Sequence, residues 1–99
     1  MSEVRAVYVS ILTQIRRSGN IRNEPEDLMS TAISRLEEAI RAGKEVGDVR
    51  ANVEPRRTAE MLVLVGIGLS VWDGLGLRVA DPPGLVESLL VLIEKPRDR

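Results

Sequence analysis

The side chains able to do chemistry in this chain are few. Adjacent carboxylates occur at Glu26–Asp27 and Glu37–Glu38. Neighbours on a helix point about 100° apart, so neither pair makes the facing dyad that acid–base catalysis needs. The first pair reads as charge at a helix start and the second as a solvated face. Arg16–Arg17 and Arg56–Arg57 are basic doublets. The second lies in a first helical turn, where an anion would be favoured, yet both read more simply as surface. Asp73 interrupts an apolar stretch and reads as the rim where a helix leaves the core. There is no Cys and no His. Disulfides, thiolate nucleophiles, Ser-His-Asp triads and most zinc sites are therefore excluded. No phosphate-cradling, nucleophilic or metal-binding motif is present, so no catalytic residue, metal ligand or cofactor is expected and the chain is not read as an enzyme.

Ninety-nine residues with 43% hydrophobic and 29% charged side chains describe one globular domain. Fourteen Lys and Arg against fifteen Asp and Glu give a net charge of −1. No basic face is available to track phosphates, so direct nucleic-acid binding by this chain is not expected. Tyr8 and Trp72 are the only aromatic side chains, too few for a base-stacking platform. A chain without disulfides suits the cytoplasm. Residues 1–20 carry Glu3, Arg5, Arg16 and Arg17 around an amphipathic pattern and are not a signal peptide.

Four helices position these residues, over about 3–18, 24–45, 55–77 and 83–94. The first stripe is Val4, Val7, Tyr8, Ile11, Leu12 and Ile15, spaced for one helical face. Ser18-Gly19-Asn20 ends it. Asn23 or Glu24 caps the second helix, with Pro25 in its first turn. Its stripe runs Leu28, Met29, Ala32, Ile33, Leu36, Ala39 and Ile40, and Gly43 and Gly47 mark its end. Asp81 caps the last helix with Pro82 following, and Lys95–Pro96 stops it. Arg97–Arg99 read as a tail.

The third helix differs. From Met61 to Trp72 only Gly66, Gly68 and Ser70 are not apolar. A helix apolar on every side is buried on every side, and one short chain can hardly cover it. On a helical wheel one side holds Leu62, Val65, Leu69 and Trp72. A second holds Met61, Leu64, Gly68, Val71 and Leu75, and a third holds Val63, Gly66, Ile67, Ser70 and Gly74. The small residues of the third side predict that a partner's backbone approaches there. Met61–Leu77 contains Asp73 and four glycines and falls short of the roughly 20 apolar residues of a membrane span, so no membrane is expected.

The order of these features resembles the C-terminal half of a TetR-family transcriptional regulator. Members commonly show G-x-x-x-G-x-x-R, a D-P-x-x-x-A helix start and G-L in the next helix. Here they stand as Gly43-Lys44-Glu45-Val46-Gly47-Asp48-Val49-Arg50, as Glu54-Pro55-Arg56-Arg57-Thr58-Ala59 with Glu for Asp, and as Gly68-Leu69. The family's helix-turn-helix domain has no counterpart before Val4. The resemblance thus implies a fragment, or a short relative, lacking the DNA-binding half.

The resemblance implies an all-α, four-helix domain that homodimerises through its last two helices as a four-helix bundle, and that senses a small, often apolar, effector. Isologous two-fold pairing is the common closed arrangement. The expected interface is Val63, Gly66, Ile67, Ser70, Gly74, Leu85, Leu89 and Leu92. The expected pocket is Tyr8, Leu12, Met29, Ile33, Leu64 and Trp72, residues equally suited to a plain core. The alternative is a stand-alone helical dimerisation module that modulates a full-length regulator.

Overall fold

The computed structural model describes residues 3–18 and 26–96. It is all-helical. In chain order the helices are α1 (Glu3–Ser18), α2 (Glu26–Val46), α3 (Pro55–Gly74) and α4 (Pro82–Ile93). The expected caps at Gly19, Asn23 or Glu24, and the tail at 97–99, lie outside the described residues.

The helix ends follow from local chemistry. At the end of α2, Gly47 adopts φ +85°, a left-handed conformation that suits glycine. Its N–H donates to the Lys44 carbonyl (3.3 Å), and the Asp48 N–H donates to the Gly43 carbonyl (2.8 Å). This is a Schellman cap. The same device closes α3. Gly76 at φ +80° donates to Asp73 O (3.0 Å), and Leu77 N–H donates to Trp72 O (3.2 Å). That cap is why α3 stops at Gly74 and does not run to Leu77. At the starts, Glu54 accepts from the Arg57 N–H (2.6 Å) ahead of Pro55. Asp81 accepts from the Gly84 N–H (3.1 Å) ahead of Pro82.

Helices α1, α2 and α3 pack on one another. The core takes Val4, Tyr8, Ile11 and Ile15 from α1, and Ala32, Leu36, Ala39 and Ile40 from α2. Ala59, Leu62 and Val63 enter from α3, and Leu90 and Ile93 from α4. The residues from α1 recur every three or four positions, the one-face spacing of a helix. No polar or charged residue is buried among the described residues. Tyr8 is fully enclosed, and its hydroxyl donates to the Leu62 carbonyl at 2.8 Å.

Helix α4 is tied on mainly at its C-terminal end. Val49 and Glu94 form an isolated antiparallel bridge. The Arg50 N–H donates to Ile93 O (2.9 Å), and the Lys95 N–H donates to Asp48 O (2.8 Å). From α1, the Arg5 guanidinium ion-pairs with Glu87 and, at 2.6 Å, with Glu94. Val49 itself is buried against Gly43: a Cβ there would lie 2.5 Å from Val49 Cγ2 and 3.7 Å from Val4 Cγ2.

Two outcomes follow from this packing. Gly43→Ala forces Val49 off Gly43 and lowers stability by about 1–3 kcal/mol in urea unfolding, the usual cost of overpacking. Gly74→Ala, where nothing lies within 4 Å of the new methyl, instead raises it by up to about 1 kcal/mol. Burial also pushes the Tyr8 phenol up to about 12. The unfolded phenol titrates near ~10, so between these values the unfolded chain binds fewer protons and stability falls as pH rises. As Tyr8 is the sole tyrosine, the phenolate absorbance of the folded protein is expected to rise near pH 12, against about 10 in denaturant. A folded-state midpoint near ~10 contradicts the enclosed phenol.

Candidate functional site

The titratable side chains hold structure and do not converge. Glu37, on the polar face of α2, accepts from Arg41 (2.7 Å) and Arg56 (3.4 Å). Chiefly through Arg41, its carboxyl lies below the usual carboxylate range. Arg5 does the same to Glu87. A carboxylate stabilised in its charged form is a poor proton carrier near neutrality. Glu38, Arg16, Arg17, Arg57 and Asp73 are exposed. Among the described residues no group of three or more acidic residues is arranged to hold a metal ion.

The six expected pocket residues do not surround one cavity. Tyr8 is locked in the core by packing and by Leu62 O. Leu12, Met29 and Ile33 are half-buried and pack against that core. Leu64 and Trp72 stand on the outer surface at 66% and 47% exposure. The helical turn of 100° per residue sends positions 64 and 72 away from the side that meets α1. An open depression of about 480 Å³ is lined by Ser10, Thr13, Gln14, Arg17 and Arg35, none of the six.

The eight expected interface residues also divide. Val63 and Gly66 are buried within the chain. A Cβ on Gly66 would sit 2.8 Å from Leu12 Cδ2 and 3.3 Å from Ile15 Cδ1. The close approach expected at this small residue is therefore made by α1 of the same chain. Ile67 and Leu89 pack against the core, and Ser70 is half-buried. Gly74, Leu85 and Leu92 are exposed. The small side of α3 faces inward at Gly66 and opens only toward Gly74.

What lies open is the second side of α3. Eleven large apolar side chains are exposed among the described residues, and nine lie between Met61 and Leu92. They are Met61, Leu64, Val71, Trp72, Leu75, Leu77, Leu85, Val91 and Leu92. These side chains are the candidate interaction surface, since a contiguous apolar patch, unlike scattered single residues, calls for a cover. Met61, Leu64, Gly68, Val71 and Leu75 recur at steps of three and four, a coiled-coil seam. Leu85, Ser88 and Leu92 repeat that step on α4 and are likewise exposed. Hydropathy alone could not separate the seam from the small side, because both are apolar and only contact with α1 distinguishes them.

Among the described residues, no helix is long and apolar enough to cross a membrane. Comparison with protein-family models, curated proteins and solved structures finds no match to this chain.

Proposed function

We propose that this chain is the effector-sensing and dimerising part of a TetR-like transcriptional regulator, pairing with its own copy through α3 and α4. The observation that carries the dimerising role is the open apolar surface of those two helices. Side chains of these sizes and exposures present on the order of 800 Å², about what each partner buries in a standard interface. Leaving it in water would forgo roughly 25 cal/mol for each Å² of apolar surface. The seam spacing suits a second helix, and a second copy supplies the same seam.

The interface of this proposal is Met61, Leu64, Val71, Trp72, Leu75, Leu85 and Leu92. Leu85 and Leu92 keep the role expected from sequence, and the others replace the buried Val63 and Gly66, the half-buried Ile67, Ser70 and Leu89, and Gly74. The sensing role rests on the order of motifs, with Leu12, Met29 and Ile33 as the half-buried apolar residues an effector would meet. Balanced charge leaves DNA readout to another domain. The stretch Gly43–Arg50, which carries part of the resemblance, has a mechanical role compatible with this reading. It anchors α4 beside α2, and so sets one bundle helix relative to the sensing helices.

Light scattering over a dilution series tests the dimer. The expected mass is near twice 10.9 kDa. Leu64→Glu with Leu75→Glu is expected to give a helical monomer, because four buried charges per dimer cannot be desolvated without partners. A monomeric parent chain, or a double variant that remains dimeric, overturns the proposed interface.

A further inference from the structure

Gly68 lies in the middle of α3, at the centre of the seam, with nothing within 4 Å of where its Cβ would stand. A glycine in a helix interior costs about 1 kcal/mol relative to alanine. At Gly66 and Gly43 close contacts within the chain account for that cost. At Gly68 nothing in the same chain does.

Counting Val65 and Trp72 at the edge of the seam, apolar residues stand at matching distances on both sides of Gly68. Three residues to either side stand Val65 and Val71, at four Leu64 and Trp72, and at seven Met61 and Leu75. All six are apolar; five are exposed and Val65 is half-exposed. In an antiparallel pair related by a two-fold rotation at Gly68, each of these apolar residues meets another apolar residue of the second copy.

We infer that the two-fold axis of the dimer passes at Gly68, with α3 of each copy crossing antiparallel to its mate. This inference rests on the dimer reading above and specifies its geometry. Leu64 of one copy then faces Trp72 of the other, and Met61 faces Leu75. The seam spacing corresponds to a crossing angle near 20°. At an interaxial distance of about 8 Å, Cα atoms about 2.3 Å from each axis approach within about 4 Å at the crossing. Only a very small residue permits that, and two glycines meet there. Charge favours the same sense. A parallel pair would set the exposed Arg56 and Arg57 of both copies side by side, and Asp73 against Asp73. The antiparallel pair separates them.

Because the chain has no cysteine, single cysteines report the geometry directly. A disulfide forms where Cα atoms lie about 4.4–6.8 Å apart. The two copies of position 68, within about 4 Å of each other, are too close for that, so under mild oxidation cysteines at the flanking positions 64 and 72 are the reporters. Leu64→Cys alone is expected to remain uncrosslinked, and an equimolar mixture of Leu64→Cys and Trp72→Cys to crosslink. Gly68→Leu is expected to raise the dimer dissociation constant at least tenfold, with the helical circular dichroism retained. Self-crosslinking by Leu64→Cys would establish a parallel pair and overturn the inference. A mixture of Leu64→Cys and Trp72→Cys that is dimeric by light scattering yet does not crosslink would overturn the register while leaving the dimer. A parent chain monomeric at every concentration would overturn both.

Discussion

Val49 presses its side chain onto the backbone of Gly43, closer than any Cβ would permit. This contact depends on the left-handed turn at Gly47, which folds the chain back over the last turn of α2. The reversed strand places Asp48, Val49 and Arg50 where they pair with the end of α4. Val4 of α1 reaches the same spot. One small gap in α2 thus joins three of the four helices. A larger residue at Gly43 would displace Val49 and, with it, the backbone that α4 bonds to.

The way α4 is attached shapes the remaining surface. It is held by the pairing at its C-terminal end, by the buried Leu90 and Ile93, and by Arg5 reaching Glu87 and Glu94. Its opposite face, with Leu85, Val91 and Leu92, is left open. Helix α3 is treated in the same way. Ala59, Leu62, Val63 and Gly66 go inward, Ile67 packs beside them, and Met61, Leu64, Val71, Trp72 and Leu75 are left exposed. With α1, α2 and α3 packed on one another, each turns one side to the shared core. The uncovered sides of α3 and α4 are what a second copy is proposed to fill.

Much of the local structure was legible in the residues. The stripe Val4, Tyr8, Ile11 and Ile15 is the buried face of α1, as its spacing indicates. Pro55 and Pro82 open helices, the second behind the expected Asp81 cap. These features depend on side chains within one turn of each other. The orientation of α3 was not legible. Glycine and serine at steps of four suggested a surface for an external partner, but Gly66 receives Leu12 and Ile15 of α1. The expected pocket failed to gather for a related reason. Tyr8 and Trp72 are the two aromatic side chains, yet they occupy opposite environments, one enclosed and one exposed.

By itself, then, the sequence determined the helical class, the Asp81 cap, the buried faces of α1 and α2 and the lack of any thiol or imidazole. Each of these is set by residue identity or by period along a single helix. It also determined that α3 exceeds what one short chain covers, since apolar residues occupy all its sides. Only the tertiary structure decided which side of α3 turns inward. Every side satisfies the hydrophobic effect equally well, because burial of apolar area has no direction. The choice is made by shape: Gly66 is the place where α1 fits closely. That choice leaves Gly68 and the seam around it facing out.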